Sequence, residues 1–302
     1  MTSKQLLATE SVPCRLCGAD EFSILQQETV LDGLDVAVVR CARCGLVYTS
    51  PRPACNTLAL VYSEEHYARS CASGQYCLDG DITTDQFVRG IEVLSRFKDG
   101  GRLLDVGCGA GHFLEQVQTI GTWAVCGVDL SPHASQLARQ RVGDHIHTGT
   151  LEDAAFADAW FDAVTMWSLL EHVPDPKSTL HESRRVLKED GVLLVAVPNV
   201  EYLLLQRRIA QLMRRPFTLH PDEHLCHFSQ STLRAMLSRT GFRVIEEAVM
   251  APFALGGKRS LVVKTAAFTL ARLWLRLTGV NWGGLLVLAQ PSQQRASVEE
   301  YS

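Results

Sequence analysis

The 302-residue sequence has no run of roughly 18 uncharged apolar residues, the length a membrane-spanning helix needs. Its most apolar stretch, Leu261–Val280, is interrupted by Lys264, Arg272 and Arg276. The opening residues, Met-Thr-Ser-Lys-Gln-Leu-Leu-Ala, lack the apolar core of a secretory signal, so a cytoplasmic location is expected. Positive charge is not in excess: 29 Lys and Arg against 33 Asp and Glu leave a net charge of −4. The molecule as a whole therefore offers no general attraction to nucleic acid. Internal repeats and low-complexity tracts are missing too. With 46% hydrophobic and 21% charged residues, the chain can bury a sizeable core, and disorder is expected only at its ends.

Cysteine, by contrast, is plentiful, with ten in the chain. Cys14-Arg-Leu-Cys17-Gly18 and Cys41-Ala-Arg-Cys44-Gly45 form two C-x2-C pairs separated by 23 residues, close to zinc-ribbon spacing. Without a secretory signal, paired spacing points to metal rather than disulfides. Four thiolates from two tight knuckles close a tetrahedral structural Zn2+ site with no open position. Such a site is expected to hold the fold or position substrate, not to catalyse. Val36–Arg40, between the pairs, alternates enough to be a strand of the ribbon. Cys108 reads as a small buried residue, while Cys55, Cys71, Cys77, Cys126 and Cys226 form no recognisable site.

Three regions follow from the pattern: a module over residues 1–53, linking helices over 54–100, and an α/β domain over 101–302. In the linker, Thr57–Tyr62 is short and apolar, and Thr84–Phe97 has apolar residues at helical spacing before Gly100-Gly101. Strands are expected at Arg102–Val106, Ala124–Asp129, Ala163–Trp167 and Val192–Pro198, with late strands at Phe242–Val249 and Leu285–Ala289. Ser131-Pro132 and Asp175-Pro176 place a capping residue before a proline at the first helical position, and Ser229–Thr240 ends at Gly241. The alternation predicts an open, doubly wound, mostly parallel sheet with helices on both faces.

The strand Leu103-Leu104 runs into Asp105-Val-Gly107-Cys-Gly109-Ala-Gly111 and then a helix. Glycines there allow close approach of backbone to a ligand at the carboxyl ends of the strands. A dinucleotide fingerprint would need a glycine where His112 stands, so that pattern fails. Asp129 ends the next strand 24 residues after Asp105, near the offset of a carboxylate that accepts from ribose hydroxyls. The G-x-G-x-G loop with Asp105 two residues ahead of it resembles the class I S-adenosylmethionine-dependent methyltransferases. That resemblance implies a Rossmann-like, seven-stranded sheet. It also assigns S-adenosylmethionine to Asp105, Gly107, Gly109, Gly111, Asp129, Leu130, Leu151, Glu152 and Trp167, with the turn Gly149–Asp153 at the adenine. Read without it, Glu152 and Asp153 are a solvated face or a helix start.

Phe161–Pro176, which holds Trp167-Ser168-Leu-Leu-Glu171-His172-Val-Pro-Asp-Pro, is similar to the corresponding part of small-molecule methyltransferases, the quinone-type O-methyltransferases among them. The resemblance points His172 into the cleft. Some relatives hold a divalent ion there with a carboxylate, a Glu and a His, but this chain has Ser168 in place of the earlier carboxylate. His172 can equally be a histidine that orients the loop.

Residues 199–228 form an insertion where a substrate lid is expected. It carries Arg207, Arg208, Arg214 and Arg215, then His220-Pro-Asp-Glu223-His224-Leu-Cys-His227-Phe-Ser. This run resembles the lid of zinc-ribbon sugar C-methyltransferases. By that resemblance Glu223 orients His224, and His224 removes the acceptor's proton. His224 and His227 could instead bind a metal, or pack and cap the helix that follows. A second insertion is expected over 252–282, whose basic helix 258–280 would pack on the sheet, on a partner subunit in a homodimer, or on a membrane surface.

The expected activity is methyl transfer to a small molecule in secondary-metabolite, sugar or quinone metabolism, with oxygen favoured over carbon or nitrogen as acceptor. The alternative is a zinc-ribbon methyltransferase acting on rRNA or tRNA bases, against which the acidic balance weighs.

Overall fold

The computed structural model describes residues 7–31, 33–61, 81–250, 269–270, 273 and 283–292. The helix expected at 258–280 therefore lies outside the described residues apart from Thr269, Leu270 and Leu273, as do Cys71 and Cys77. Among the described residues no helix is long and apolar enough to cross a membrane.

The N-terminal part is β-rich, with strands β1 (Thr9–Glu10), β2 (Phe22–Val30), β3 (Leu34–Cys41), β4 (Val47–Thr49) and β5 (Arg52–Pro53). Helices α1 (Cys55–Val61) and α2 (Asp81–Leu94) follow, α2 starting and ending three residues before the expected span Thr84–Phe97. The α/β part runs β6 (Gly101–Val106), α3 (His112–Ile120), β7 (Trp123–Asp129), α4 (Pro132–Val142), β8 (Ile146–Thr148), β9 (Phe161–Trp167), α5 (Pro176–Val186) and β10 (Leu187–Val197). It ends with α6 (Val200–Leu212), β11 (Cys226–His227), α7 (Gln230–Arg239), β12 (Phe242–Met250) and β13 (Gly284–Pro291).

Seven strands form one sheet in the order β12-β13-β10-β9-β6-β7-β8. β10, β9, β6, β7 and β8 pair in parallel, and β13 runs antiparallel to both its neighbours. This is the expected doubly wound, Rossmann-like sheet of seven strands. The strands are buried on both faces, so they read as continuous apolar runs instead of alternating ones. Leu104, Val106, Val164, Met166 and Val195 belong to one core, and Leu103, Ala163, Leu194 and Ala196 to the other. The second core takes Phe87, Phe113, Leu114 and Ala138 from α2, α3 and α4. The first takes Leu180, Leu233 and Met236 from α5 and α7, and with them Leu16, Val39, Leu46 and Tyr48. The cysteine-bearing part thus shares its core with one face of the sheet.

The predicted caps form. Ser131 Oγ accepts from the Ala134 amide and Asp175 from those of Lys177 and Ser178; Ser229, expected as the first residue of its helix, instead caps it in a capping box with Thr232. Two features escaped the sequence. β8 is only three residues long. β11, inside the stretch 199–228, pairs antiparallel with β4 and completes the sheet β11-β4-β3-β2.

Candidate active site

The glycine loop leaves β6 and turns at the carboxyl ends of the parallel strands. Gly107 sits at φ +74°, and a Cβ there would lie 2.8 Å from Leu169 Cδ1. Only glycine lets the loop and the segment after β9 close on each other. Gly109, at φ +53°, has nothing within 4 Å of a built Cβ, so its face is open. Asp129 at the end of β7 ties this loop in place. Its Oδ2 accepts from the Gly109 amide and its Oδ1 from the Ser131 amide, each at 2.8 Å. Beside it the apolar side chain of Leu130 is 54% exposed.

Asp105 lies beneath the loop, not in its mouth. It is 2% exposed and accepts from Thr165 Oγ1 at 2.6 Å. Burial pushes its pKa up to about 8, against the help of the Thr165 hydroxyl. Trp167 packs edge-on to Phe87 at 5.0 Å and against Phe113 at 5.0 Å, in the wall between β9, α2 and α3. Its Nε1 is buried with no hydrogen-bond partner among the described residues. Leu151 is buried, while Glu152 accepts from Ser178 Oγ at 3.1 Å.

The segment after β9 and the stretch 220–227 converge on a group of histidines. The ring centroids of His172 and His224 lie 4.7 Å apart, those of His224 and His227 5.8 Å, and those of His220 and His224 5.9 Å. The cluster stands close to the glycine loop, since Leu169, which meets Gly107, is three residues before His172. Burial lowers His172 to about 4 and His227 to about 3, and lowers His224 as well. The neighbouring histidines add to that shift at His224, so the charged form of its ring is disfavoured. The backbone and charge of Glu223 bear on His172, partly offsetting its burial.

Glu171 and Ser168 carry signals the sequence did not reveal. Glu171 is 1% exposed, neither carboxylate oxygen has a partner in bonding geometry among the described residues, and burial pushes it up to about 8. Ser168 eases that burial and itself sits at φ +46°, an uncommon conformation for a non-glycine residue. Its amide donates to the Ala196 carbonyl at 2.8 Å, which pins the turn. One donor atom each from Glu171, His172 and His224 falls within 4.8 Å of the others. Such a group can pass a proton or hold a divalent ion.

Cys14, Cys17, Cys41 and Cys44 also come together, with all four Sγ atoms within 4.8 Å of one another. Cys14 and Cys44 are 3.4 Å apart, Cys17 and Cys41 3.5 Å. A tetrahedron of zinc–sulfur bonds has edges of about 3.8 Å, so the set is close to the right size. Amides of Leu16 and Cys17 point at Cys14, and those of Arg43 and Cys44 at Cys41, the pattern that stabilises thiolates.

Comparison with known proteins agrees with this geometry. A family model described as a methyltransferase domain matches residues 83–247. The chain belongs to the methyltransferase-domain family. The reading as a class I S-adenosylmethionine-dependent methyltransferase is borne out. An O-methyltransferase of Aspergillus nomiae is 30% identical over 181 residues, 55% of this methyltransferase and 75% of that protein. A ubiquinone biosynthesis O-methyltransferase of Alkalilimnicola ehrlichii is 39% identical over 107 residues, 33% of this chain and 43% of the relative. The chain thus spans under half the length of the ubiquinone-pathway relative. In fold it is similar to the 1,6-didemethyltoxoflavin-N1-methyltransferase of Burkholderia thailandensis, solved with S-adenosylhomocysteine bound. That match has a TM-score of 0.53 and 16% identity, covering 88% of this chain and 99% of that one. A chain from the Haloferax volcanii complex of the Trm112 activator with a methyltransferase gives a TM-score of 0.52 at 18% identity, covering 76% and 98%.

Proposed function

We propose that this methyltransferase moves a methyl group from S-adenosylmethionine to a hydroxyl oxygen of a small molecule, with His224 as the proton acceptor. The observation that carries the reading is the buried histidine cluster around His224, packed against the segment after β9 whose Leu169 meets Gly107 of the glycine loop. The curated relatives named as O-methyltransferases support the choice of oxygen.

The residues fit the cofactor. Open space at Gly109 leaves room for its polar end, Asp129 has lone pairs beyond the two amides it accepts from, and Leu130 offers an apolar cover. Asp105 stiffens the loop from below through Thr165, and the turn that holds Leu151 and Glu152 is the one we assign to the adenine. When bound, S-adenosylmethionine supplies a methyl group already activated by its sulfonium. The protein's share is therefore in-line placement and removal of the acceptor's proton. His224 takes that proton, and His172, held by Glu223 and facing Glu171 at 4.0 Å, forms the wall beside it. The cysteine set would hold a structural Zn2+ that takes no part in the transfer.

Calorimetry with S-adenosylmethionine, followed by incubation with labelled cofactor and a panel of phenols and catechols, tests the proposal. A 14-dalton gain located on oxygen is the expected product. A methyl found on carbon would replace oxygen as acceptor, and no binding of the cofactor to folded protein would end the reading.

A further inference from the structure

The lid histidine is placed by the cysteine module. β11 pairs with β4 in the register Cys226↔Tyr48 and His227↔Val47. Beyond that pairing, the Thr49 amide donates to the Leu225 carbonyl at 3.0 Å, and Thr49 Oγ1 donates to the His224 carbonyl at 2.9 Å. Thr49 is fully buried. On the other side, the amides of Leu225 and Cys226 both donate to the Glu171 carbonyl, at 2.7 and 3.0 Å. The stretch 224–227 is therefore clamped between β4 and the segment after β9. β4 begins three residues past Cys44, and its hairpin with β3 is the second knuckle, where the Cys41 amide donates to Leu46 and the Gly45 amide to Cys41.

We propose that Thr49 is a positioning residue for His224, and that metal occupancy at the cysteines fixes the lid through β4. The proposal rests on the reading of His224 as proton acceptor only for its kinetic consequence; the placement itself is structural. The hydroxyl at position 49 donates to a lone pair of the His224 carbonyl, which is left without that donor when the hydroxyl is removed. Valine has the same shape and cannot donate, so the His224 backbone is freed to shift. A displacement of about an ångström in a proton acceptor is enough to slow transfer on the order of a hundredfold. Arg239, which donates to the Leu16 carbonyl at 2.9 Å, and Arg52, which donates to Pro174 at 2.8 Å, bind the same module to α7 and to the loop before α5. The module is thus well anchored to the sheet, and its β4 edge is a firm support for the lid.

The test uses full-length, zinc-loaded wild type, Thr49→Val, Thr49→Ser, Thr49→Ala and His224→Ala. Hydrogen exchange read by mass spectrometry follows the peptide 219–228 and, as a reference, 101–111; S-adenosylhomocysteine affinity is measured by calorimetry. Thr49→Val should exchange the lid peptide about tenfold faster, the equivalent of one buried hydrogen bond, with the reference peptide, zinc content and cofactor affinity unchanged. Thr49→Ser should restore protection. Thr49→Ala serves if valine impairs folding. Chelating zinc from wild type should deprotect the same lid peptide first. With 3,4-dihydroxybenzoate as acceptor probe, kcat should fall in Thr49→Val while KM for the cofactor holds. Unaltered lid protection in the variants and after chelation would overturn the proposal. His224→Ala separates the two claims: full turnover in that variant removes the base and leaves the exchange result to decide the placement.

Discussion

Asp105 and Thr165 share a 2.6 Å hydrogen bond in a wholly buried position, across adjacent parallel strands of the sheet. It is the one side-chain bond in which Asp105 accepts among those resolved there, and it sits directly under the glycine loop. Thr165→Val keeps the shape and removes the donor. The expected loss is about 1–3 kcal/mol, the cost of leaving a buried polar group without its partner. In a chain of this size that lowers the melting temperature by a few degrees, on the order of 2–6 °C. Calorimetric melting checks it, and an unchanged midpoint would mean that the threonine contributes nothing to the loop's floor.

Gly90 offers a case where helix propensity gives the wrong sign. It lies inside α2, where alanine is ordinarily better by about 1 kcal/mol. A Cβ at Gly90 would lie 2.3 Å from Trp167 Cη2. Relieving that overlap costs roughly 1–3 kcal/mol, because Trp167 is already wedged against Phe87 and Phe113. Gly90→Ala should therefore destabilise, and Gly90→Leu more so. A rise in urea midpoint for Gly90→Ala would show that Trp167 moves aside freely.

The division between what the sequence showed and what it hid follows the range of the interactions. Asp105, Gly107, Gly109 and Asp129 were legible because the loop's chemistry is local: tight turns and a carboxylate at a strand end leave a mark in consecutive residues. The helix caps at Ser131, Asp175 and Ser229 are local in the same way. Cys14, Cys17, Cys41 and Cys44 were legible because metal geometry imposes spacing. Thr49 and Thr165 were not, since a buried hydroxyl is recognisable only by the partner it meets, and those partners, His224 and Asp105, lie 175 and 60 residues away. β11 has no signature of its own, because two residues become a strand only where β4 offers an edge. Glu171 could be read as polar; its burial could not, because burial is a property of everything packed around it.

The titration of the site sets a pH limit on stability. Burial raises Asp105 and Glu171 to about 8 and raises Asp129 as well, against the pull of the Gly109 and Ser131 amides. A raised carboxyl contributes stability that is complete below its unfolded pKa of about 4 and lost as pH climbs through the folded value. His172, His224 and His227 are lowered, so their contribution is complete above about 6.5 and lost as pH falls through the folded values. Below about 6.5 the two sets oppose each other, and above it only the carboxyls act. Unfolding free energy measured by urea should fall between about pH 6.5 and 8.5, and Glu171→Gln should flatten that fall. A stability that climbs across this interval would contradict the burial of both acids.

Gly109 and Asp129 separate ligand binding from folding. Asp129 accepts one amide on each oxygen, from Gly109 and from Ser131. Asparagine can serve only one of them as acceptor and turns an N–H toward the other. The loss of a charge-assisted bond is worth about 1.5–3 kcal/mol, so S-adenosylhomocysteine should bind Asp129→Asn roughly ten- to a hundredfold more weakly. Gly109→Ala reaches the same end by another route. Its added methyl meets no protein atom within 4 Å, so the fold pays only the left-handed backbone conformation, about 1 kcal/mol. The methyl would instead occupy the space assigned to the cofactor. Calorimetric titration should therefore show a large loss of affinity beside a melting temperature lowered by no more than a few degrees. If Gly109→Ala bound the cofactor as tightly as wild type, that open face would not be where the cofactor lies.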